Sequence, residues 1–416
     1  MRWQGYVFTY LPETAQAVPA GELSLLEEGR ETVGSLFGYG ARYLKRANAI
    51  PIDPVSLPLS SLSGDQALYE PRGGSPLFGA VRDAAPDFWG RRVIESSLKV
   101  PPDSLPESAY LVNAGSHRFG ALDFRSSRED GESAGALPPI SELGYLLEAA
   151  DRVQEGLPVP AHLQMLFQVA SLGGARPKAL VFHKGKQFLA KFQSKGDAFN
   201  VPMVERACLE LARECGLNVP ETDLLSLPDG RDVMLIERFD RTTLPNGQFG
   251  RKHCVSALTM LGKVEQESLS ASYGEIAHAI SVNGVDDFVH KDRTELYARV
   301  AFNILVSNDD DHLRNHAFVW DPEGKAWRLS PLYDVVPHPQ VGQERRLHLS
   351  LGPQGRTATL TNLLEAHDSF GLLKPDAARV IDRVACRVRE WLRCWRRSES
   401  ARNWRSSALF GLPAWE

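Results

Sequence analysis

Eight residues, Asn308-Asp309-Asp310-Asp311-His312-Leu313-Arg314-Asn315, place three carboxylates, an imidazole and two amides directly behind the apolar run Val300-Ala301-Phe302-Asn303-Ile304-Leu305-Val306. The run has the length and apolar content of a buried helix segment. Fixed negative charge at the end of such a helix needs cations or hydrogen-bond donors to offset it. Behind the cluster come a short β-prone run, Ala317-Phe318-Val319-Trp320, a turn at Asp321-Pro322-Glu323-Gly324-Lys325, and a second run at Trp327-Arg328-Leu329 that leads into Pro331-Leu332-Tyr333-Asp334. The pattern is therefore a buried helix, a polar loop and a hairpin that ends in one more Asp.

That order resembles the catalytic core of a protein kinase. Kinases use an Asp to accept the substrate hydroxyl proton and an Asn after four intervening residues to hold a metal, and Asp310 and Asn315 stand at that interval. Asp334, just past the hairpin, is placed to chelate the Mg²⁺ that bridges nucleotide phosphates. Read alone, the cluster is equally a solvated turn at a helix end. A calcium loop is excluded, because counted from Asp309 the fifth and sixth positions are Leu313 and Arg314, where an EF-hand needs an oxygen ligand and a glycine.

Upstream, Ser171-Leu172-Gly173-Gly174-Ala175-Arg176-Pro177-Lys178 precedes a β-prone run at 179–182, a Lys-Gly turn at 184–186 and a second run at 187–192 that carries Lys191. Glycines let backbone N–H groups approach phosphate, and a strand lysine supplies charge. The Gly-Lys-Ser/Thr ending of a Walker loop is absent, and a Gly-Gly pair before a strand is also an ordinary turn. An amphipathic helix follows over 204–212, where Glu205 is placed either to pair with the strand lysine or to complement the helix dipole. The apolar strand at 232–236 then breaks into Glu237-Arg238-Phe239-Asp240-Arg241, where a kinase joins its lobes and meets adenine.

In this order the segments resemble the HipA family of serine/threonine kinases, toxins of bacterial toxin–antitoxin modules. The resemblance rests on 171–179, the Lys191 strand, Ile236 to Arg241, Asn308 to Asn315 and Leu329 to Asp334. It extends to Phe78-Gly79, to Asp83 through Arg92, and to Arg118-Phe119-Gly120-Ala121-Leu122 in the N-terminal part. It implies an α+β, two-lobed kinase-like fold, with a β-rich small lobe and a helical large lobe, preceded by a small β-rich N-terminal domain. The expected divisions are 1–125 for that domain, 126–139 for a linker, 140–240 for the small lobe and 241–416 for the large lobe. The implied site has Asp310 as catalytic base, with His312 holding its loop in shape. Asn315 and Asp334 are the implied Mg²⁺ ligands. Ser171, Leu172, Gly173, Gly174, Ala175, Lys178, Lys191 and Glu205 would serve the ATP phosphates, with Glu237 and Phe239 at the adenine. The family's loop serine is also autophosphorylated as an off switch, and Ser171 stands in that position.

The implied partners are a HipB-like helix-turn-helix antitoxin, DNA only through it, and a protein substrate such as an aminoacyl-tRNA synthetase. Two other classes stay open: a co-repressor that docks on a DNA-bound antitoxin and adds basic residues such as Arg393, Arg396 and Arg397, and a kinase-fold enzyme acting on a small molecule.

Composition is consistent with a cytoplasmic protein. No run approaches the roughly 18 apolar residues of a membrane span, and Met1-Arg2-Trp3-Gln4-Gly5 opens no signal-peptide stretch. The net charge of −5 argues against coating nucleic acid unaided. Five cysteines without a Cys-x-x-Cys pair read as buried thiols. Helices are expected near 295–307 and 376–397. The Trp- and Arg-rich segment over 383–405 reads as a helix that packs its Trp side inward, with nucleic-acid contact as the alternative.

Overall fold

A computed structural model of the chain describes residues 1–59, 67–131, 135–169, 174–338 and 344–397, without the side chains of 168, 169 and 392–397. The chain divides into two compact units. The first takes in Met1–Lys195, Leu225–Val255 and Gly262–Val264, and the second Gly196–Leu224, Ser256–Leu261 and the chain from Glu265 on.

The first unit holds two sheets. In the N-terminal one, the strands run Leu68–Tyr69, Glu31–Tyr39, Ala17–Glu28, Arg2–Tyr10, Leu122–Arg125 in spatial order. Alternation drives it: Val7, Leu23, Leu25 and Phe37 are fully buried, while Glu28 and Glu31 of the same strands are exposed. The long pair Ala17–Glu28 and Glu31–Tyr39 went unmarked in the sequence because those outward glutamates dilute its apolar content. Its two-residue turn sets Gly29 at φ +63, the position a type II′ turn gives to glycine. The last strand of this sheet starts at Leu122; Phe119 and Gly120 before it are drawn into other contacts described below.

The second sheet pairs Lys178–His183 with Lys186–Phe192, and the latter with Asp232–Glu237; Thr222–Ser226 lies at its edge. Lys184 and Gly185 both adopt positive φ, as a two-residue type I′ hairpin requires. One face of this sheet closes over an apolar core of Val181, Phe188, Phe192, Val233 and Leu235 with Leu143, Leu146, Leu147 and Trp89. Trp89 belongs to the helix Phe88–Leu98, which starts where the Asp87 carboxylate accepts from the Gly90 N–H (3.2 Å). Its indole N–H donates to the Lys178 carbonyl (2.8 Å), so the helix is tied to the strand it covers.

The second unit is mainly helical. The helix expected near 295–307 runs Asp286–Val306, with Asp286 and Asp287 in its first turn facing the positive end of the dipole. Leu296 through Val306 are buried without interruption, so no amphipathic stripe exists in its second half. The other long helix spans Lys374–Arg397. Val201–Glu214 is capped by Asn200, whose side chain accepts from the Met203 N–H, and Tyr273–Asn283 opens with a reciprocal Ser272/Glu275 capping box. The expected hairpin is present as Ala317–Asp321 against Ala326–Leu329. No helix among the described residues is long and apolar enough to cross a membrane.

Cys208, Cys215 and Cys254 are buried thiols, but Cys386 is exposed. It stands between the buried Val384 and Val388 on the outward face of its helix, which corrects the expectation for that residue. Trp395, Trp404 and the arginines Arg393, Arg396 and Arg397 lie outside the described side chains.

Two histidines of the first unit are buried and neutral. Burial pushes His117 and His253 down to about 4. Each ring Nε2 faces a carbonyl, Gly135 O at 3.0 Å and Ile52 O at 2.9 Å, and in the neutral tautomer donates to it. In the unfolded chain they take protons below about pH 6.5, and in the folded chain only near about pH 4. The unfolded state therefore binds more protons across that window, and stability falls as pH is lowered through it. The expected outcome is a melting temperature that drops steadily from about pH 7 to about pH 5. His253→Gln, which cannot take the proton, flattens the slope; a parent curve already flat there refutes the assignment.

Candidate active site

The polar loop after the Asp286–Val306 helix is built around one buried carboxylate. Asp311 Oδ2 accepts from Tyr273 Oη (2.9 Å) and Asn303 Nδ2 (2.7 Å), and His316 Nε2 lies 3.1 Å away. These four side chains are no more than 2% exposed. Burial by itself would raise the Asp311 carboxyl, but His316 and the Tyr273 hydroxyl outweigh it and hold it below the ordinary value. Asn303 is the one polar residue of the apolar run, and its Oδ1 in turn accepts from Asn308 Nδ2 (3.1 Å). The loop is thus anchored to the last turn of the helix it leaves. Ser307 between them takes a left-handed φ of +60, and its hydroxyl accepts from Arg345 (2.8 Å).

With Asp311 turned inward, its neighbour Asp310 is exposed. The Asp310 carbonyl accepts from the His312 N–H (2.9 Å) and from Asn315 Nδ2 (2.8 Å), so Asp310 and Asn315 are held together across the turn and the Asn315 Oδ1 remains as a hard donor. His312 packs edge-on to the His348 ring at 5.7 Å, and His348 Nε2 lies 3.0 Å from Ser268 Oγ. Asp309 lies 2.8 Å from His338 Nδ1.

Asp334 is brought to the same unit by the hairpin. Arg299, 1% exposed, donates to the Ser330 carbonyl (2.7 Å) at the hairpin's exit, and Tyr333 Oη donates to the Arg314 carbonyl (2.8 Å) inside the polar loop. Asp334 itself has φ +60. A left-handed backbone at a non-glycine residue costs about 1–3 kcal/mol and persists where the surroundings over-determine it, often at functional sites. Among the described residues no cluster of three or more His, Cys, Asp or Glu could hold a metal. Asn315 Oδ1 and the Asp334 carboxylate are the oxygen donors that suit Mg²⁺, which takes one or two protein oxygens and completes its octahedron with water and phosphate.

The other expected residues belong to the first unit, except Glu205. Ser171, Leu172 and Gly173 lie outside the described residues. Gly174 has φ +109, and Lys178 Nζ comes so close that an added Cβ would sit 2.3 Å from it. Lys178 is buried, its Nζ 4.0 Å from Asp87 Oδ2. The strand register sets Lys178 directly opposite Lys191, so both side chains leave the same face of the sheet. Like charges in that relation are destabilising unless an anion answers them, and Asp87 is one that answers Lys178. At the far end of the sheet the Glu237 carboxylate is held by Lys186 (2.9 Å), and the Phe239 ring meets Phe119 edge-on at 6.0 Å. Glu205 is buried within its helix, 2% exposed, and contributes after burial to pushing the Cys208 thiol up to about 12; a merely dipole-facing glutamate would be solvated.

Asp311, Asn303, Tyr273 and His316 were missed as functional residues by sequence reasoning. The signal available was the isolated Asn303 in an otherwise apolar run, eight residues before Asp311.

Three comparisons bear on this geometry. The model of the HipA-like C-terminal domain matches residues 170–392. The serine/threonine-protein kinase toxin HipA of Shewanella oneidensis is 26% identical over 229 residues, which are 49% of this chain and 51% of that protein. The chain thus spans about half the length of that relative. Among solved structures, the complex of HipA, HipB and operator DNA from Shewanella oneidensis MR-1 contains a chain that superposes with a TM-score of 0.66 at 19% identity, over 89% of this chain and 87% of that one. At that identity the likeness establishes the shared α+β kinase-like fold.

The Asp311 cluster makes a specific claim on stability. Tyr273→Phe leaves the ring in place and removes one donor from a buried carboxylate, which is expected to cost about 1–3 kcal/mol. Urea unfolding should show a lower midpoint at an unchanged slope; an unchanged midpoint would remove Asp311 from its place at the centre of the loop.

Proposed function

The chain belongs to the HipA-like family, and on that premise we propose that it is an ATP- and Mg²⁺-dependent serine/threonine protein kinase. The observation that carries this reading is the joint placement of an exposed Asp310 and a buried Asn315 on one turn, with a strained Asp334 tied to the same loop through Tyr333. Asp310 accepts the proton of the acceptor hydroxyl, which makes that oxygen a better nucleophile. Asn315 and Asp334 hold the metal. When bound, Mg²⁺ neutralises the phosphate charge that builds during transfer. Within the first unit, the family resemblance assigns Lys178 and Lys191, opposed on one strand pair, to the nucleotide's phosphates and Glu237 and Phe239 to its adenine. Asp311 works through Asp310, keeping the loop in shape while it carries no proton itself.

The substrate we propose is a cytoplasmic protein, such as an aminoacyl-tRNA synthetase, whose modification stops translation. The likeness to a chain solved together with HipB and operator DNA supports a HipB-like antitoxin as partner, with DNA reached through it. Ser171 is the proposed site of self-modification, since a phosphate carrying nearly two negative charges cannot share its place with those of ATP.

Asp310→Asn is expected to lower the rate of phosphoryl transfer about 10²–10⁴-fold while leaving ATP affinity near the parent value. Mass spectrometry of the same reactions should find phosphate on the Ser171 peptide in the parent only. A variant as fast as the parent would show that Asp310 is not the base. For the metal, Asp334→Ala should weaken Mg·ATP binding about 10–100-fold and leave metal-free ATP binding unchanged in paired calorimetric titrations; equal losses in both would count against a metal-ligand role.

A further inference from the structure

Within the first unit, the segment Ser116–Gly120 is gripped from one side by three arginines and an aspartate. Arg238 donates to the carbonyls of His117 (3.1 Å) and Arg118 (2.6 Å). Arg241 donates to those of Arg118 (2.8 Å) and Gly120 (3.1 Å). Arg251 donates to the Ser116 carbonyl and to Tyr10 Oη (3.0 Å). Asp240 accepts the Gly120 N–H (2.8 Å) while holding Arg238 in a two-pronged pair and Arg241 beside it. The side chains of Arg238, Asp240 and Arg241 are only 3–4% exposed. Gly120 has φ +72, and a Cβ there would press on the Cys254 backbone at 3.1 Å, so the approach is possible only for glycine.

The gripping residues Arg238, Asp240 and Arg241 are buried, whereas Glu237 and Phe239 beside them are only partly buried; the strand ends at Glu237 and the chain turns at 239–240. Any movement of the Ser116–Gly120 segment is thus passed to the backbone on which Glu237 and Phe239 are carried. Phe119 adds an apolar contact, its ring edge-on to Phe239.

We infer that the Ser116–Gly120 segment is a positioning element for nucleotide binding, setting the Glu237–Phe239 backbone through Arg238, Asp240, Arg241 and Phe119. The N-terminal portion of the chain then contributes to ATP affinity through this segment. This inference rests on the reading of Glu237 and Phe239 as the adenine-facing residues. Phe119 is the position to test, being partly buried and outside the charged grip.

In the full-length chain, Phe119→Ala should weaken Mg·ATP binding about 3- to 10-fold by calorimetry. The rate of phosphoryl transfer at saturating ATP should stay within about twofold of the parent, since positioning of the nucleotide is restored by mass action. Phe119→Leu, which keeps apolar volume and loses the edge-on contact, should give a smaller loss of the same kind, and it serves if Phe119→Ala does not fold. Arg91→Ala, which breaks a partly exposed pair with Glu107 elsewhere in the same unit, should lower thermal stability and leave ATP affinity unchanged. Folded Phe119 variants with the parent's affinity would overturn the inference and leave the adenine reading standing. So would an Arg91→Ala loss as large as that of Phe119→Ala. A parent protein that binds no ATP would overturn both.

Discussion

The polar loop depends on a carboxylate that never meets solvent. Asp311 is buried at the end of a helix whose last eleven residues are buried as well. Leaving a charge there unpaired costs several kcal/mol. Its three partners come from three places in the chain, the Tyr273 helix, the Asn303 turn and His316 at the start of the next strand. Each partner is therefore located by the same charge. A loop of three consecutive aspartates could take many conformations if all three were solvated; with the third buried, the second is turned outward and its carbonyl is left to receive Asn315.

The first unit follows a related logic with cations in excess. Arg118, fully buried, stacks on the Phe124 ring and pairs with Asp123, and it also donates to the Ala84 and Leu111 carbonyls near the ends of two helices. The negative ends of those dipoles suit a guanidinium. Burial lowers Arg118 and Arg241 from their ordinary values, and burial would raise Asp240 were it not for Arg238 and Arg241, which hold it well below the carboxylate range. Buried ion pairs of this kind add little net stability against apolar replacements, but breaking one partner is costly, so they specify one arrangement strongly. Here that arrangement joins an N-terminal segment to the end of the Asp232–Glu237 strand.

Much of this was legible in the sequence. The hairpins, the buried helix before the aspartates, the Asp310–Asn315 interval and Asp334 beyond the second hairpin follow from periodicity, turn residues and spacing. What was not legible depends on through-space pairing. Three adjacent aspartates look alike in one dimension, and only the burial of Tyr273, Asn303 and His316 separates Asp311 from Asp310. The opposition of Lys178 and Lys191 depends on strand register, which a one-residue change in the Lys184–Gly185 turn would shift. Arg238, Asp240 and Arg241 read only as the charged break after an apolar strand, and their burial follows from carbonyls more than a hundred residues away. The left-handed backbone of Asp334 leaves no mark in composition, since Asp tolerates that conformation in ordinary turns too.

The central claim is that Asp310, Asn315 and Asp334 form one Mg²⁺-dependent phosphoryl-transfer site on a loop set by Asp311. A crystal structure of the protein with Mg²⁺ and a non-hydrolysable ATP analogue tests it most directly. The account predicts a metal at about 2.1 Å from Asn315 Oδ1 and from an Asp334 carboxylate oxygen, bridging phosphate oxygens, with Asp310 facing the terminal phosphate and Asp311 still buried. A nucleotide bound away from this loop, or a metal held without Asn315 and Asp334, would contradict it.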